Sequence, residues 1–244
     1  MNRVKKPLTS QPRNPLPQHY RPVGGVVYRV RPGDTWETVA READLPVGEL
    51  IEYNFRTRNP REVNWYLQRN VGCRNTTADG KNYVFRGANP GVIYLPFYLV
   101  YPYEQPNGTS CWAASMAMVV SFKRQQAISP QRIASAVGMD LNSSYGWDVL
   151  YDAAQHWGLE SLPSASLSGR GWLALLQAHG PLWLVEVGNP SHAVVLIGYD
   201  GKQFHLNDPW PPAGRKTRTV AQLNNDFGGA LSAVGDNVQL LYAR

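Results

Sequence analysis

The sequence predicts an α+β protein in two parts: a small strand-helix-helix-strand unit, then a larger domain with its helices first and an antiparallel sheet after them. Three observations predict it. Helical apolar spacing follows capping signals at Asp34 and at Thr109-Ser110. Two apolar runs, Pro181–Val187 and His192–Tyr199, read as buried strands separated by turn residues. Asp200-Gly201 is a strong hairpin signal, returning the chain antiparallel through Lys202–Asn207. With 43% hydrophobic and 17% charged residues in 244, the chain has material for a buried core.

Residues 1–25 are basic and Pro-rich and read as an extended linker ending at Gly24-Gly25. The net charge is +6, and the first 31 residues hold Arg and Lys without an acid. No aromatic-interleaved basic patch accompanies them, so a solvated tail is expected and nucleic acid is not expected as a partner. No apolar run approaches the roughly 18 residues that cross a bilayer, and no membrane partner is expected. The basic start lacks a following apolar stretch of signal type. The expectation is synthesis in the cytoplasm without a signal peptide, followed by export through a specialised secretion system or delivery into a target cell. Two cysteines cannot build a disulfide framework, although a Cys73–Cys111 bridge would silence Cys111. Their spacing is not that of zinc ligands, and no Gly-rich phosphate loop is present. No cofactor or metal is expected.

The first compact unit spans 26–96. Val26–Val30 is a strand stopped by Pro32-Gly33; Asp34 caps a helix and Glu37 completes a capping box. Trp36, Val39 and Ala40 recur at helical spacing, and a second helix runs Pro46–Tyr53 with Leu50, Ile51 and Tyr53 turned inward. The segment from Tyr28-Arg29-Val30-Arg31-Pro32-Gly33-Asp34-Thr35-Trp36 to Asn54 resembles a LysM module. That resemblance implies a closing second strand and polymers of N-acetylglucosamine as ligands, which brings in peptidoglycan as a partner. The best closing strand, Val92–Pro96, comes about 35 residues late, leaving an insertion at about 56–90 beside the sugar groove. A docking unit without ligand is the competing reading.

The second domain spans 97–244. Pro106-Asn107-Gly108 is a turn, and Thr109 or Ser110 caps a helix bearing Trp112, Met116, Val119 and Val120. Cys111 falls at the first helical position, where open backbone N–H groups and the helix dipole favour a thiolate and can receive an oxyanion. The amide of Gln105, across the turn, is a second oxyanion donor. A lone cysteine before an apolar helix is ordinarily a core residue; what singles out Cys111 is a histidine downstream. Folding the hairpin at Asp200-Gly201 brings His192 beside Asn207 and Asp208. A strict two-residue turn puts Asn207 on the His192 face, and one extra residue puts Asp208 there. His19, His156, His179 and His205 read as linker, helix-end and strand residues. Ser129–Gly138, Tyr145–Trp157, Gly171–Ala178 and Thr219–Asp226 read as helices, and Asn237–Tyr242 as a last strand. Trp147, Trp183 and Trp210 are candidates for lining a substrate groove.

Gln105, six residues ahead of a Cys-Trp pair that opens a helix, resembles the nucleophile segment of papain-like cysteine peptidases. His192-Ala-Val-Val, Gly198-Tyr199-Asp200 and Asn207-Asp208-Pro209-Trp210 are similar to the His and Asn-Asp-Pro segments of the bacterial members, including bacteriocin-processing domains and plant-pathogen effectors. Thr109-Ser110 stand where the family often has Cys-Gly. The resemblance implies a papain-like domain in which Cys111 is the nucleophile, His192 the base, Asp208 (with Asn207 as fallback) its orienting partner and Gln105 an oxyanion donor. The implied reaction is hydrolysis of a protein or peptide substrate through a Cys-His-Asp triad. Cutting of peptidoglycan, with the LysM-like module as wall anchor, is the second reading, and a non-catalytic binding protein on a peptidase fold the third. A leaderless, basic, Pro-rich start joined to a wall-binding-like module and a peptidase is similar to interbacterial toxins and effectors delivered by specialised secretion, which implies an immunity protein as a further partner.

Overall fold

The structure is a computed structural model that describes residues 6–162, 167–186, 192–228 and 240–243. The chain forms two compact units, Met1–Pro96 and Phe97–Arg244.

In the first unit, β1 (Val26–Arg29) pairs antiparallel with β2 (Val92–Leu95), and between them lie α1 (Trp36–Glu42) and α2 (Val47–Phe55). The α1 cap is Thr35, which forms a capping box with Thr38. Asp34 does not cap it, because its Oδ2 already accepts from the Tyr28 hydroxyl at 2.9 Å and the Arg31 N–H at 2.7 Å. Of the residues expected inside α2, Leu50 is buried, whereas Ile51 and Tyr53 are only partly so. Asn54 and Phe55 take the remaining inward positions, and Asn54 ties α2 to β2 by exchanging hydrogen bonds with the Tyr94 backbone.

The insertion completes this core. It contains α3 (Pro60–Tyr66), continued by a π-helical turn at Leu67–Val71. Tyr66 stacks on Phe55 at 5.1 Å, and Phe85 meets Trp36 edge-on at 5.0 Å. Gly72 allows the insertion to close: at φ +79° a Cβ there would stand 1.8 Å from the Asn89 carbonyl oxygen. Residues 6–25, expected as a linker, are fastened along the same unit. Leu16 N–H donates to the Tyr66 hydroxyl, Asn70 Nδ2 to the Pro17 carbonyl, and Ser10 N–H to the Arg61 carbonyl. The stretch has too few apolar residues to announce this in sequence; backbone hydrogen bonds hold it.

In the second unit, α4 (Cys111–Arg124), α5 (Pro130–Ala136), α6 (Trp147–His156) and α7 (Gly169–His179) precede most of the sheet. The strands are β3 (Leu159–Leu162), β4 (Leu182–Glu186), β5 (His192–Tyr199), β6 (Phe204–Asp208), β7 (Gly214–Arg218) and β8 (Leu240–Ala243), with α8 (Val220–Gly228) between the last two. They form an antiparallel sheet in the order β3-β8-β4-β5-β6-β7. Of the last strand expected from Asn237, residues 237–239 lie outside the described residues. Trp172 and Leu176 of α7 and Leu223 of α8 pack on Leu182, Leu184, Val194, Leu196, Phe204 and Leu206. In α4, Trp112 through Val120 are buried without a break, so the helix is enclosed all round. Its small residues Ala113, Ala114, Ser115 and Ala117 permit close approach to the sheet.

Asn64 of α3 is the polar knot of the insertion. Its Nδ2 donates to the Lys81 carbonyl at 3.0 Å, and its Oδ1 accepts from Tyr83 N–H at 3.0 Å in a buried setting. Asn64→Ala leaves both partners unsatisfied and is expected to destabilise the first unit by about 2–3 kcal/mol. Urea denaturation of the full chain reads this as a lower midpoint of the first unit's transition.

Candidate active site

Cys111 opens α4, and no side chain caps that helix start. Thr109 and Ser110 were the expected caps, but both hydroxyls are spent elsewhere, Ser110's on the preceding turn. Ser110 Oγ donates to the Asn107 carbonyl and accepts its N–H, each at 3.1 Å, and Thr109 Oγ1 donates to the Leu141 carbonyl at 2.8 Å. The turn is thereby fixed while the helix N-terminus keeps its dipole free of a side-chain cap, the arrangement that suits a developing anion. One helical turn on, the buried Ser115 Oγ donates to the Ala193 carbonyl at 2.8 Å. Ser115 shares a helix face with Cys111, and Ala193 adjoins His192, so this bond ties the helix that bears the thiol to the strand that bears the imidazole. Nothing in the sequence marks Ser115 except its i+4 spacing from the cysteine.

His192 begins β5, and its Nε2–H donates to Asp208 Oδ1 at 2.6 Å. Cys111 also acts on this ring, favouring its charged form. Asp208 rather than Asn207 meets His192, and register explains why. The turn is longer than the two residues read from Asp200-Gly201: Tyr199 pairs with Phe204, so 200–203 form the loop. Two added residues leave side-chain parity unchanged. A β-bulge at Ile197 then adds one residue between Leu196 and Gly198, making Val195 oppose Asn207 and turning Asp208 to the His192 side. Ile197's displaced carbonyl is taken by Tyr98 N–H at 2.9 Å. Asn207 points elsewhere, donating to the Val100 carbonyl at 2.8 Å from a buried position.

Asp208 is held from three sides. Besides His192, Oδ1 accepts Trp210 N–H at 2.9 Å, and Oδ2 faces Lys216 Nζ at 3.3 Å. Burial alone would raise its carboxyl, but the His192 and Trp210 bonds and the neighbouring cations carry it down to about 2. Burial likewise works against a charged His192, yet the bond to Asp208, together with Cys111, raises the ring to about 9. At neutral pH the pair is therefore imidazolium and carboxylate. His192, raised from 6.5, lends stability that is complete below pH 6.5 and is lost as pH rises through about 9. Asp208, depressed from 3.8, lends stability present above pH 3.8 and lost as pH falls through about 2.

Gln105 is 3% exposed, and its backbone N–H donates to the Pro209 carbonyl at 2.9 Å, joining the nucleophile loop to the Asp208 segment. One side-chain N–H goes to the Asn107 carbonyl at 2.7 Å, and Oε1 is buried with no partner among the described residues. Of the three groove candidates, Trp183 is 1% exposed and belongs to the core, since β4 is covered on both faces. Trp210 is 51% exposed and meets the His192 ring edge-on at 6.1 Å. Trp147 opens α6, and its side chain lies outside the described residues. Cys73 and Cys111 are both free thiols, and burial pushes Cys73 up to about 12, which leaves it inert.

A second concavity belongs to the first unit. About 340 Å³ in volume, it is lined by Trp36, Ile51, Val63, Leu67, Tyr83 and Phe85 among others. Among the described residues the Trp36 indole N–H is buried without a partner. Asp34, Glu37, Arg58 and Asn82 share the lining with these apolar residues.

The sequence model of the family described as "Papain-like cysteine protease AvrRpt2" matches residues 98–227, and that of the LysM domain matches residues 28–64. No curated protein matches. Among solved structures, the chain is similar to a double glycine motif protease from an AMS/PCAT transporter, crystallised with the leader peptide. Identity is 21%, coverage 59% of this chain and 92% of that one, and the TM-score 0.40. It is also similar to a putative C39-like peptidase from Bacillus anthracis, at 14% identity, 59% and 94% coverage and a TM-score of 0.42. For the peptidase domain of Streptococcus ComA, a bifunctional ABC transporter in a quorum-sensing pathway, the values are 15%, 59%, 98% and 0.38. TM-scores this low carry no weight beside a family match that spans more than half of the chain.

Ser115→Ala strips the buried Ala193 carbonyl of its donor and is expected to cost about 1–2 kcal/mol. Denaturant titration should show a lowered midpoint for the second unit; an unchanged midpoint would mean that this bond does not hold α4 to β5.

Proposed function

The chain belongs to the papain-like cysteine proteases, and from that premise we propose that it hydrolyses peptide bonds of a protein or peptide substrate through Cys111, His192, Asp208 and Gln105. The supporting observation is the His192 imidazole held by the Asp208 carboxylate at 2.6 Å, with the helix-start Cys111 favouring its charged form.

In this reading, His192 holds the proton of Cys111 as imidazolium while the sulfur attacks the substrate carbonyl carbon. The carbonyl oxygen gains the negative charge, and the open N–H groups at the α4 start, with the Gln105 side-chain amide, receive it. His192 then gives its proton to the leaving amine as the C–N bond breaks, which leaves a thioester. Water, deprotonated by His192, adds to the thioester; the collapse expels Cys111 sulfur and releases the carboxylic acid. Asp208 fixes the ring orientation and stabilises its cation throughout.

A second reading, cleavage of peptides or amides in peptidoglycan, is favoured by the first unit's LysM match and by the concavity beside Trp36. Both readings suit a secreted toxin or effector checked by an immunity protein, with the first unit as its wall anchor.

The test is incubation of wild type and Cys111→Ala with unfolded protein and with purified sacculi, followed by mass spectrometry of the released fragments. Fragments from protein that vanish with Cys111→Ala are expected, with loss on the order of 10²-fold or more in Asp208→Ala. The rate should fall as pH rises through about 9, where His192 loses its proton. Fragments from sacculi alone would establish the second reading, and undiminished cleavage by Cys111→Ala would end both.

A further inference from the structure

β7 was absent from the sequence reading because Gly-Arg-Lys-Thr-Arg offers no apolar alternation, yet it forms the sheet edge beside β6. Its register sets Lys216 opposite Leu206 and Gly214 opposite Asp208. Lys216 therefore shares a face with Asp208 and reaches diagonally past the bare Gly214 position, bringing Nζ to 3.3 Å from Oδ2. The neighbouring cations are otherwise engaged: Arg215 lies over the Phe97 ring, and Arg218 Nε bonds to Asp226 at 2.9 Å.

We propose that Lys216 is a positioning residue of the hydrolytic site, its ammonium holding Asp208 Oδ2 so that Oδ1 is presented to His192. The inference rests on the Cys111–His192–Asp208 reading above. A carboxylate with one oxygen unclaimed can rotate about its Cβ–Cγ bond and exchange its acceptors. Here both oxygens are occupied: Oδ1 by His192 and the Trp210 N–H, Oδ2 by Lys216. The groups facing Asp208 are His192 from β5 and Lys216 from β7, with Cys111 of α4 acting on the imidazole. Glu104 lies nearby, accepting from Ala213 N–H at 3.4 Å.

The ammonium also sets the electrostatics of the site. Placed beyond the carboxylate, it draws on charge that would otherwise act wholly on the imidazolium. Removing a cation raises the proton affinity of every group near it, so both limbs of a thiolate–imidazolium profile move to higher pH. A purely structural contact would change stability and leave those limbs in place.

The test is the rate of Cys111 alkylation by iodoacetamide against pH, read by mass spectrometry of the Cys111 peptide, in wild type, Lys216→Met and Lys216→Arg. Lys216 is half-exposed, and methionine keeps its apolar stem, so the fold should tolerate both. The expected result is a shift of both inflections upward by about half a pH unit in Lys216→Met and a profile close to wild type in Lys216→Arg. Lys216→Met profiles that superimpose on an ion-pair-type wild-type profile overturn the role of Lys216 alone, as does an arginine variant no better than methionine. A wild-type Cys111 that alkylates like a free thiol overturns the triad reading and this inference with it.

Discussion

The hydrogen bond from His192 to Asp208 depends on one surplus residue in a strand. Without the bulge at Ile197, the β5–β6 hairpin would turn Asn207 toward the imidazole and Asp208 away from it. The bulge is held open, because Tyr98 at the start of the second unit takes the displaced carbonyl. A neutral amide in place of the carboxylate could orient the ring but would stabilise its charge far less, and the bond with Asp208 is a main reason that His192 stays protonated to about pH 9. Chain geometry at a residue that touches nothing reactive thus decides the electrostatics of the site.

Delivery of the thiol follows a similar economy. The turn before α4 uses the Ser110 hydroxyl to hold itself together, so the helix begins without a side-chain cap and its first N–H groups stay available. Burial of the whole Trp112–Val120 stretch anchors the helix, and the Ser115–Ala193 bond ties it to β5. Gln105 then links the nucleophile loop to the residue after Asp208 through its backbone. The two halves of the site are fastened directly to each other as well as through the core between them.

How much of this was legible in the sequence varies with its physical origin. The strands around His192 were plain, because residues covered on both faces must be apolar, and the fold class and family resemblance followed from such runs and from the Gln105–Cys111 spacing. The choice between Asp208 and Asn207 was open on the residues alone: loop length and a bulge are set by tertiary contacts that leave no local signature. β7 and the short β3 were missed for a related reason, since a polar edge strand is defined by its neighbour more than by its own pattern. Asp34 looked like a cap until the Tyr28 hydroxyl claimed it. The insertion looked like an obstruction beside the LysM-type core, whereas Tyr66 and Phe85 are part of that core.

The family match identifies a cysteine peptidase; in the reading proposed above, His192 is the imidazole that serves it and Asp208 keeps that imidazole charged. The most direct measurement of that claim is an NMR titration of the His192 ring. The account predicts a midpoint near 9 in the wild type and a fall of roughly a unit or more in Asp208→Ala. A midpoint near the ordinary 6.5, unmoved when Asp208 is replaced, would contradict it.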